Sequence, residues 1–398
     1  MVLVKISEKM HMKRIERVRS TLQAKNLKGM IFFNTRSIFY LTGFHHIPTE
    51  RPIALVLPTD GELGLFVPEL EVNQVKDTVP LVTDVFSYFE YPDEIHPMKH
   101  FANGLKERGL AEKELAADAP GAPGYWGYQG PNLMDVLPKV KLSILNELIM
   151  DMRVIKDEEE IALIYESCKW GNLAHQLLQE YTYTGASEIE VVNEVNAEAS
   201  RIMMKTLGPT FKPLSGAICA SAGYRGQIGA GSAIPHATTG NNFFKNGDTL
   251  VTGAGSNVGG YKSELERTMF MGEPNEKQIK YFNIMYKAQT AAIEAFGPKV
   301  KNADVDRAAR KVFKDEGVWD LVEHHTGHAI GLEGHERPFL DIGSKVIMKP
   351  GMVFTVEPGI YVHNFAGFRH SDTILITEEG YEMMTYYPRD LESLIIYQ

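Results

Sequence analysis

The stretch His324-His325-Thr326-Gly327-His328-Ala329-Ile330-Gly331, followed by His335-Glu336, sets imidazoles and glycines among small and apolar residues. Alone it says little, because a histidine in an apolar strand is usually a hydrogen-bonded core group. Three more islands of the same kind flank it: Ser232-Ala233-Ile234-Pro235-His236, Tyr261-Lys262-Ser263-Glu264-Leu265-Glu266-Arg267-Thr268 and Thr355-Val356-Glu357-Pro358-Gly359. In an extended segment Glu264 and Glu266 point to the same side, as residues two apart do on a strand. Acid, base and imidazole groups are thus concentrated in the second half of the chain.

Outward from these islands the pattern is that of two domains, expected over residues 1–150 and 151–398 of the 398-residue chain. The spacing predicts a helix over Met12–Asn26, a buried strand over Met30–Phe33, and strands over Ile53–Leu57 and Leu63–Val67 joined at Pro58-Thr59-Asp60-Gly61. Gly, Pro and Ala between Ala117 and Pro131, with Tyr125, Trp126 and Tyr128, predict a loop. This first half reads as an α/β domain. In the second half, Asp157 with Glu160 and Ser187 with Glu190 read as capping boxes opening long helices. Further helices are predicted over Gln278–Phe296 and Ala303–Glu316, and strands over Thr249–Val251, Val353–Val356 and Ile374–Ile376. That mixture is α+β.

Composition excludes several classes. The hydrophobic fraction of 44% and charged fraction of 23% are those of a soluble globular protein. A net charge of −10 without any basic run disfavours nucleic acid. No apolar run approaches a membrane span, and the N-terminus meets charges at once, so a cytoplasmic protein with no membrane partner is expected. Cys168 and Cys219 read as buried small hydrophobes, since neither has a His-Asn or His-Asp partner pattern.

The order of the islands resembles the creatinase/prolidase/methionine aminopeptidase family. Tyr40-Leu41-Thr42-Gly43, Arg153-Val154-Ile155-Lys156, Thr326-Gly327-His328 through His335-Glu336, Val356-Glu357-Pro358-Gly359, and Arg369 with Asp372-Thr373 all match in order, so the resemblance covers nearly the whole chain. It implies an α/β N-terminal domain followed by an α+β catalytic domain with the pita-bread fold. Peptidases of the family hold two divalent ions with two Asp, one His and two Glu. On that pattern Gly253 stands for the first Asp, Glu264 for the second and Ser371 for the bridging Glu, while His328 and Glu357 match. Two anionic donors are therefore missing, which predicts metal-independent catalysis without a cofactor, although Glu264, His328 and Glu357 could still hold one metal.

Creatinase is a metal-free member, and Leu265-Glu266-Arg267-Thr268, His236, Glu357 and Arg51-Pro52 match its pattern. The extra Glu264, the altered lining around His324 and a shorter segment after His335 depart from it. The metal-free relatives most similar are the ectoine hydrolases, which implies a small cyclic amidine carboxylate as substrate. On this reading His236 shuttles protons, Glu266 binds or attacks the amidinium, and Glu357 is the second catalytic carboxylate. Arg51 would bind the substrate carboxylate, with Glu264, His328, His324 and His335 lining the pocket. The resemblance also implies a homodimer in which Arg51 reaches the site of the partner. A metal-dependent X-Pro dipeptidase, creatinase itself and a non-enzymatic binding protein are the alternatives.

Overall fold

The computed structural model describes residues 2–121 and 127–397, so Tyr125 and Trp126 of the expected loop lie outside the described residues. The chain divides into one unit of Ile6–Met152 and another of Met1–Lys5 with Arg153–Gln398.

In the first unit a six-stranded sheet runs in the order Asp84–Tyr88, Gly64–Pro68, Ala54–Pro58, Gly29–Phe32, Glu114–Ala117 and Lys141–Ile144. The three middle pairings include two antiparallel ones, Gly29–Phe32 with Ala54–Pro58 and Ala54–Pro58 with Gly64–Pro68. The hairpin turns where Gly61 takes a φ of 117°, as the sequence predicts. Ile31, Phe33, Phe66, Met98, Phe101 and Leu105 form its core. The first helix, Glu8–Ala24, starts earlier than its apolar spacing suggests because the Ser7 side chain accepts the Met10 N–H and caps it.

The second unit is built on helices Glu158–Tyr181, Glu188–Leu207, Glu276–Glu294 and Asn302–Asp315. Asp157 and Glu160 form the expected capping box. Ser187 does not: its hydroxyl donates to Asn241 instead, at 3.4 Å. The neighbouring Glu188 is buried and accepts from Gly226, Gly240 and Asn242, tying three loop segments to the helix start.

A five-stranded antiparallel sheet carries two of the four islands, in the order Glu336–Leu340, Gly327–Ala329, Val353–Val356, Asp372–Ile376 and Tyr381–Met383. Gly327 is required here. A Cβ at that position would lie 2.2 Å from the Thr355 carbonyl oxygen, so only glycine lets the strand of His328 approach the strand that leads to Glu357. The segment with the two glutamates is stitched across: Glu266 and Ser371 exchange backbone hydrogen bonds of 3.0 Å each way.

Behind this stitch the fully buried Arg267 forks onto the equally buried Asp372, with Nη2 2.8 Å from Oδ1 and Nη1 3.2 Å from Oδ2. Its remaining N–H groups donate to the carbonyls of Glu266, Ser371, Tyr387 and Pro388. Removing one member of a buried ion pair typically costs about 3–5 kcal/mol, because the other is left uncompensated. Asp372→Ala should therefore lower the stability of this unit by about that much, read as a fall in its urea midpoint. A change below about 1 kcal/mol would show that the guanidinium finds other partners.

Candidate functional site

Three segments of the second unit bring donors together. Glu264 is held by Thr373, whose Oγ1 accepts the Glu264 N–H at 3.2 Å and donates to the Glu264 carbonyl at 2.8 Å. The backbone N–H of His328 donates to Thr355 Oγ1 at 3.2 Å, and that of Glu357 to the Thr326 carbonyl at 2.7 Å. One ligand atom each from Glu264, His328 and Glu357 then lie within 4.8 Å of one another.

His328 is 1% exposed, and its Nδ1 lies 3.0 Å from the Ala329 carbonyl. With the Nδ1 proton donated to that carbonyl, Nε2 is the ring nitrogen that faces the carboxylates. No hydrogen bond of good geometry reaches Nε2 among the described residues, although Glu357 Oε1 stands 3.2 Å away and Glu264 Oε2 4.0 Å. Burial opposes a charged imidazole here, yet the adjacent Glu357 and the charge of Glu264 lift the His328 pKa to about 9. Burial and the Glu357 and Glu266 charges push Glu264 up, whereas His328 and Arg369 hold Glu357 down against its own burial. Two crowded carboxylates and an imidazole that would give up its Nε2 proton on binding suit a cation.

The donor set fits one metal ion and not two. Gly253 offers no side chain, and the Ser371 hydroxyl is a donor to Glu264 Oε1 at 2.8 Å. Glu266 is no free ligand either. Arg369 forks onto both of its oxygens, Nη2 to Oε1 at 2.8 Å and Nε to Oε2, with both side chains buried. Arg369 Nη1 also donates to Tyr361 Oη at 2.9 Å, and His324 Nε2 lies 2.8 Å from that hydroxyl. Arg225 adds a second guanidinium, its Nη2 3.3 Å from Glu266 Oε1.

His335 stacks on His328 with ring centroids 3.7 Å apart. Burial chiefly lowers its pKa, and the charge of His328 lowers it further. His236 itself is exposed, at the end of a loop whose Ser232 hydroxyl accepts the Gly367 N–H at 2.9 Å. Arg51 belongs to the first unit, where it pairs with Glu50 and Glu90. Arg369, Tyr361 and Arg225 were not among the expected site residues. Arg369 was visible only as part of a matching motif, and Tyr361 carries a signal only in its position two residues after Gly359 on a strand.

Residues 162–378 match metallopeptidase family M24, and residues 14–155 match the creatinase/prolidase N-terminal domain. The chain belongs to family M24. An uncharacterized peptidase of Staphylococcus haemolyticus is 30% identical to this M24 chain over 383 residues, covering 95% of it and 100% of the relative. Among solved structures, an Xaa-Pro dipeptidase from Bacillus anthracis is 26% identical with a TM-score of 0.78, covering 97% of this chain and 99% of that one. A prolidase from Pyrococcus furiosus is 27% identical with a TM-score of 0.74, covering 93% and 99%. The M24 fold is thus an α/β N-terminal domain with a pita-bread C-terminal domain, as the sequence predicts.

The expectation of a metal-independent ectoine hydrolase is overturned by these similarities, which lead to peptidases and a metallopeptidase family. The geometry gives the physical reason. An amidinium needs a free carboxylate, and both oxygens of Glu266 are already committed to Arg369, with Arg225 beside them. Metal independence was inferred from two missing anionic donors, but those losses remove the means of holding a second ion and leave three convergent donors for a first. The coarser reading, a hydrolase of the creatinase/prolidase type, stands. No helix among the described residues is long and apolar enough to cross a membrane.

The Glu336 of the His335-Glu336 motif has a structural task in this M24 chain. It lies buried between Arg153 Nη2 and Lys156 Nζ, the latter 3.2 Å away, and Arg153 also reaches Glu333. Burial alone would raise its pKa, but Lys156 and Arg153 bring it below the ordinary carboxylate value. A depressed folded-state pKa stabilises above the unfolded pKa, and that contribution disappears as pH falls through the folded value. Glu336→Gln should therefore be clearly destabilised relative to wild type above about pH 5, with the gap closing as pH falls below about 4. Denaturant midpoints measured across that range decide it, and a gap independent of pH would mean that the carboxylate charge contributes nothing.

Proposed function

We propose that this M24 protein hydrolyses the C–N bond of short peptides, with X-Pro dipeptides as the first substrates to test, at a site formed by Glu264, His328 and Glu357. The observation that carries the reading is the convergence of Glu264, buried His328 and Glu357, one ligand atom of each within 4.8 Å of the others, in the unit that matches M24. A divalent cation on these donors would polarise the scissile carbonyl and make an attacking water more acidic. Glu357 would take the proton from that water. His236, an exposed imidazole, is the group that hands a proton to the departing nitrogen. Glu266 holds Arg369 in place and so keeps a fixed positive charge beside the reacting group.

A neutral amide suits this pocket better than a cationic amidine. Glu266 is already paired with Arg369, and a cation held by Glu264, His328 and Glu357 would use the remaining carboxylates, so none is left as counter-charge for a positively charged substrate. The homodimer implied by the resemblance belongs to the same proposal, and a monomer by sedimentation would remove any role for Arg51 at a partner's site.

The expected outcome is release of proline from X-Pro dipeptides, abolished by chelation and restored by adding back Mn²⁺. His236→Ala should reduce kcat by about a hundredfold or more while circular dichroism stays unchanged, since a positioned acid or base contributes about 10²–10⁴-fold. Hydrolysis indifferent to exhaustive chelation, or absence of cleavage of any short peptide by metal-loaded protein, would sink the reading.

A further inference from the structure

The groups bordering the three donors set a limit on how much positive charge the site accepts. Beyond Glu264, His328 and Glu357, the next positions around them are Gly253, Ser371 and Glu266. A Cβ at Gly253 would meet only Glu266 Oε1, at 3.6 Å, so that backbone position faces the glutamate and contributes no oxygen donor of its own from a side chain. Ser371 is fully buried and gives its proton to Glu264. Its hydroxyl therefore orients an existing ligand. Glu266, 5% exposed, has both oxygens clamped by Arg369, and every nitrogen of that guanidinium is engaged: Nε and Nη2 on Glu266, Nη1 on Tyr361.

We infer that this chain binds a single divalent cation, and that the Arg369 guanidinium locked on Glu266 is a permanent internal cation beside it. The inference rests on the donor set of the proposed function and goes further by fixing its capacity. A second divalent ion next to the first needs anionic oxygens to offset the repulsion between like charges. Here the one remaining carboxylate is already neutralised by an arginine that cannot deprotonate, with a second guanidinium, Arg225, 51% exposed, at its edge. One ion, by contrast, gets two carboxylates and an imidazole, the count of a site with three protein ligands and an open position. The Ser371 hydroxyl is a positioning group in this arrangement. By holding Oε1 of Glu264 it leaves Oε2 as the oxygen that faces His328.

Stoichiometry tests this without reference to turnover. The full-length protein is loaded with excess Mn²⁺, and in parallel with Zn²⁺, freed of unbound metal by gel filtration, and counted by elemental analysis and native mass spectrometry. One ion per chain is expected in wild type and in Glu266→Gln. His328→Gln and Glu264→Gln, each checked for folding by circular dichroism, should weaken binding by at least about tenfold, and Ser371→Ala should weaken it less. Should Glu266→Gln fail to fold because Arg369 is left unpaired, Arg225→Gln serves instead and should also keep one ion. Two ions per wild-type chain would overturn the inference, as would no uptake by folded wild type, or full occupancy surviving in the His328 and Glu264 variants. The two readings fail separately: one bound ion with no peptide cleaved defeats only the proposed function, and two bound ions with peptide cleavage defeat only the single-cation site.

Discussion

The Arg267–Asp372 pair is the interaction on which the catalytic unit's interior depends. It lies where the strand Asp372–Ile376 and the extended segment of Glu264 and Glu266 meet, and its spare N–H groups take up the carbonyls of both. A buried guanidinium cannot leave its donors unsatisfied, so it fixes the carbonyls around it as firmly as it fixes Asp372. The side chains on the opposite side, Glu264, Glu266 and Ser371, inherit that rigidity. Gln289 and Thr385 complete the set by bonding the same carboxylate, which ties in the helix Glu276–Glu294. A site that must hold ligand atoms to within fractions of an ångström is better supported by such a network than by apolar packing alone.

A second buried pair, Glu266 with Arg369, stands in front of the first, and the two serve different ends. Arg267 and Asp372 are sealed behind the sheet, whereas Arg369 faces the donors and meets Tyr361, which in turn meets His324. The chain thus passes from structural electrostatics to functional electrostatics between the adjacent residues Arg267 and Glu266, simply by the alternation of side chains along extended backbone. Neither role could be assigned from residue type.

Much of this was legible beforehand. The four islands lie in one unit, and each drew notice by setting acid, base or imidazole groups beside glycines; the hairpin at Gly61 and the cap at Asp157 followed from local chemistry. The gaps at Gly253 and Ser371 were also legible as missing ligands. Their consequence was misread, because the orientation of Glu266 depends on Arg369, more than a hundred residues away, and sequence spacing is silent on such a pairing. With Glu266 assumed free, a cationic substrate appeared natural; paired with Arg369, it offers such a substrate no counter-charge. Ser187 failed as a capping box for a related reason, since a tertiary partner, Asn241, took the hydroxyl that local pattern assigned to the helix.

Gly367 lies two residues before Arg369, and a Cβ there would sit 2.0 Å from the Ser232 carbonyl oxygen. Its N–H is held by the Ser232 hydroxyl, which belongs to the loop that ends in His236. The exposed imidazole and the buried guanidinium therefore share one mechanical anchor. The loop cannot be lengthened or shifted without dragging the strand that sets the electrostatic character of the pocket. Divergence toward a new substrate in this lineage would be easier through the side chains around the imidazoles than through the loop's backbone.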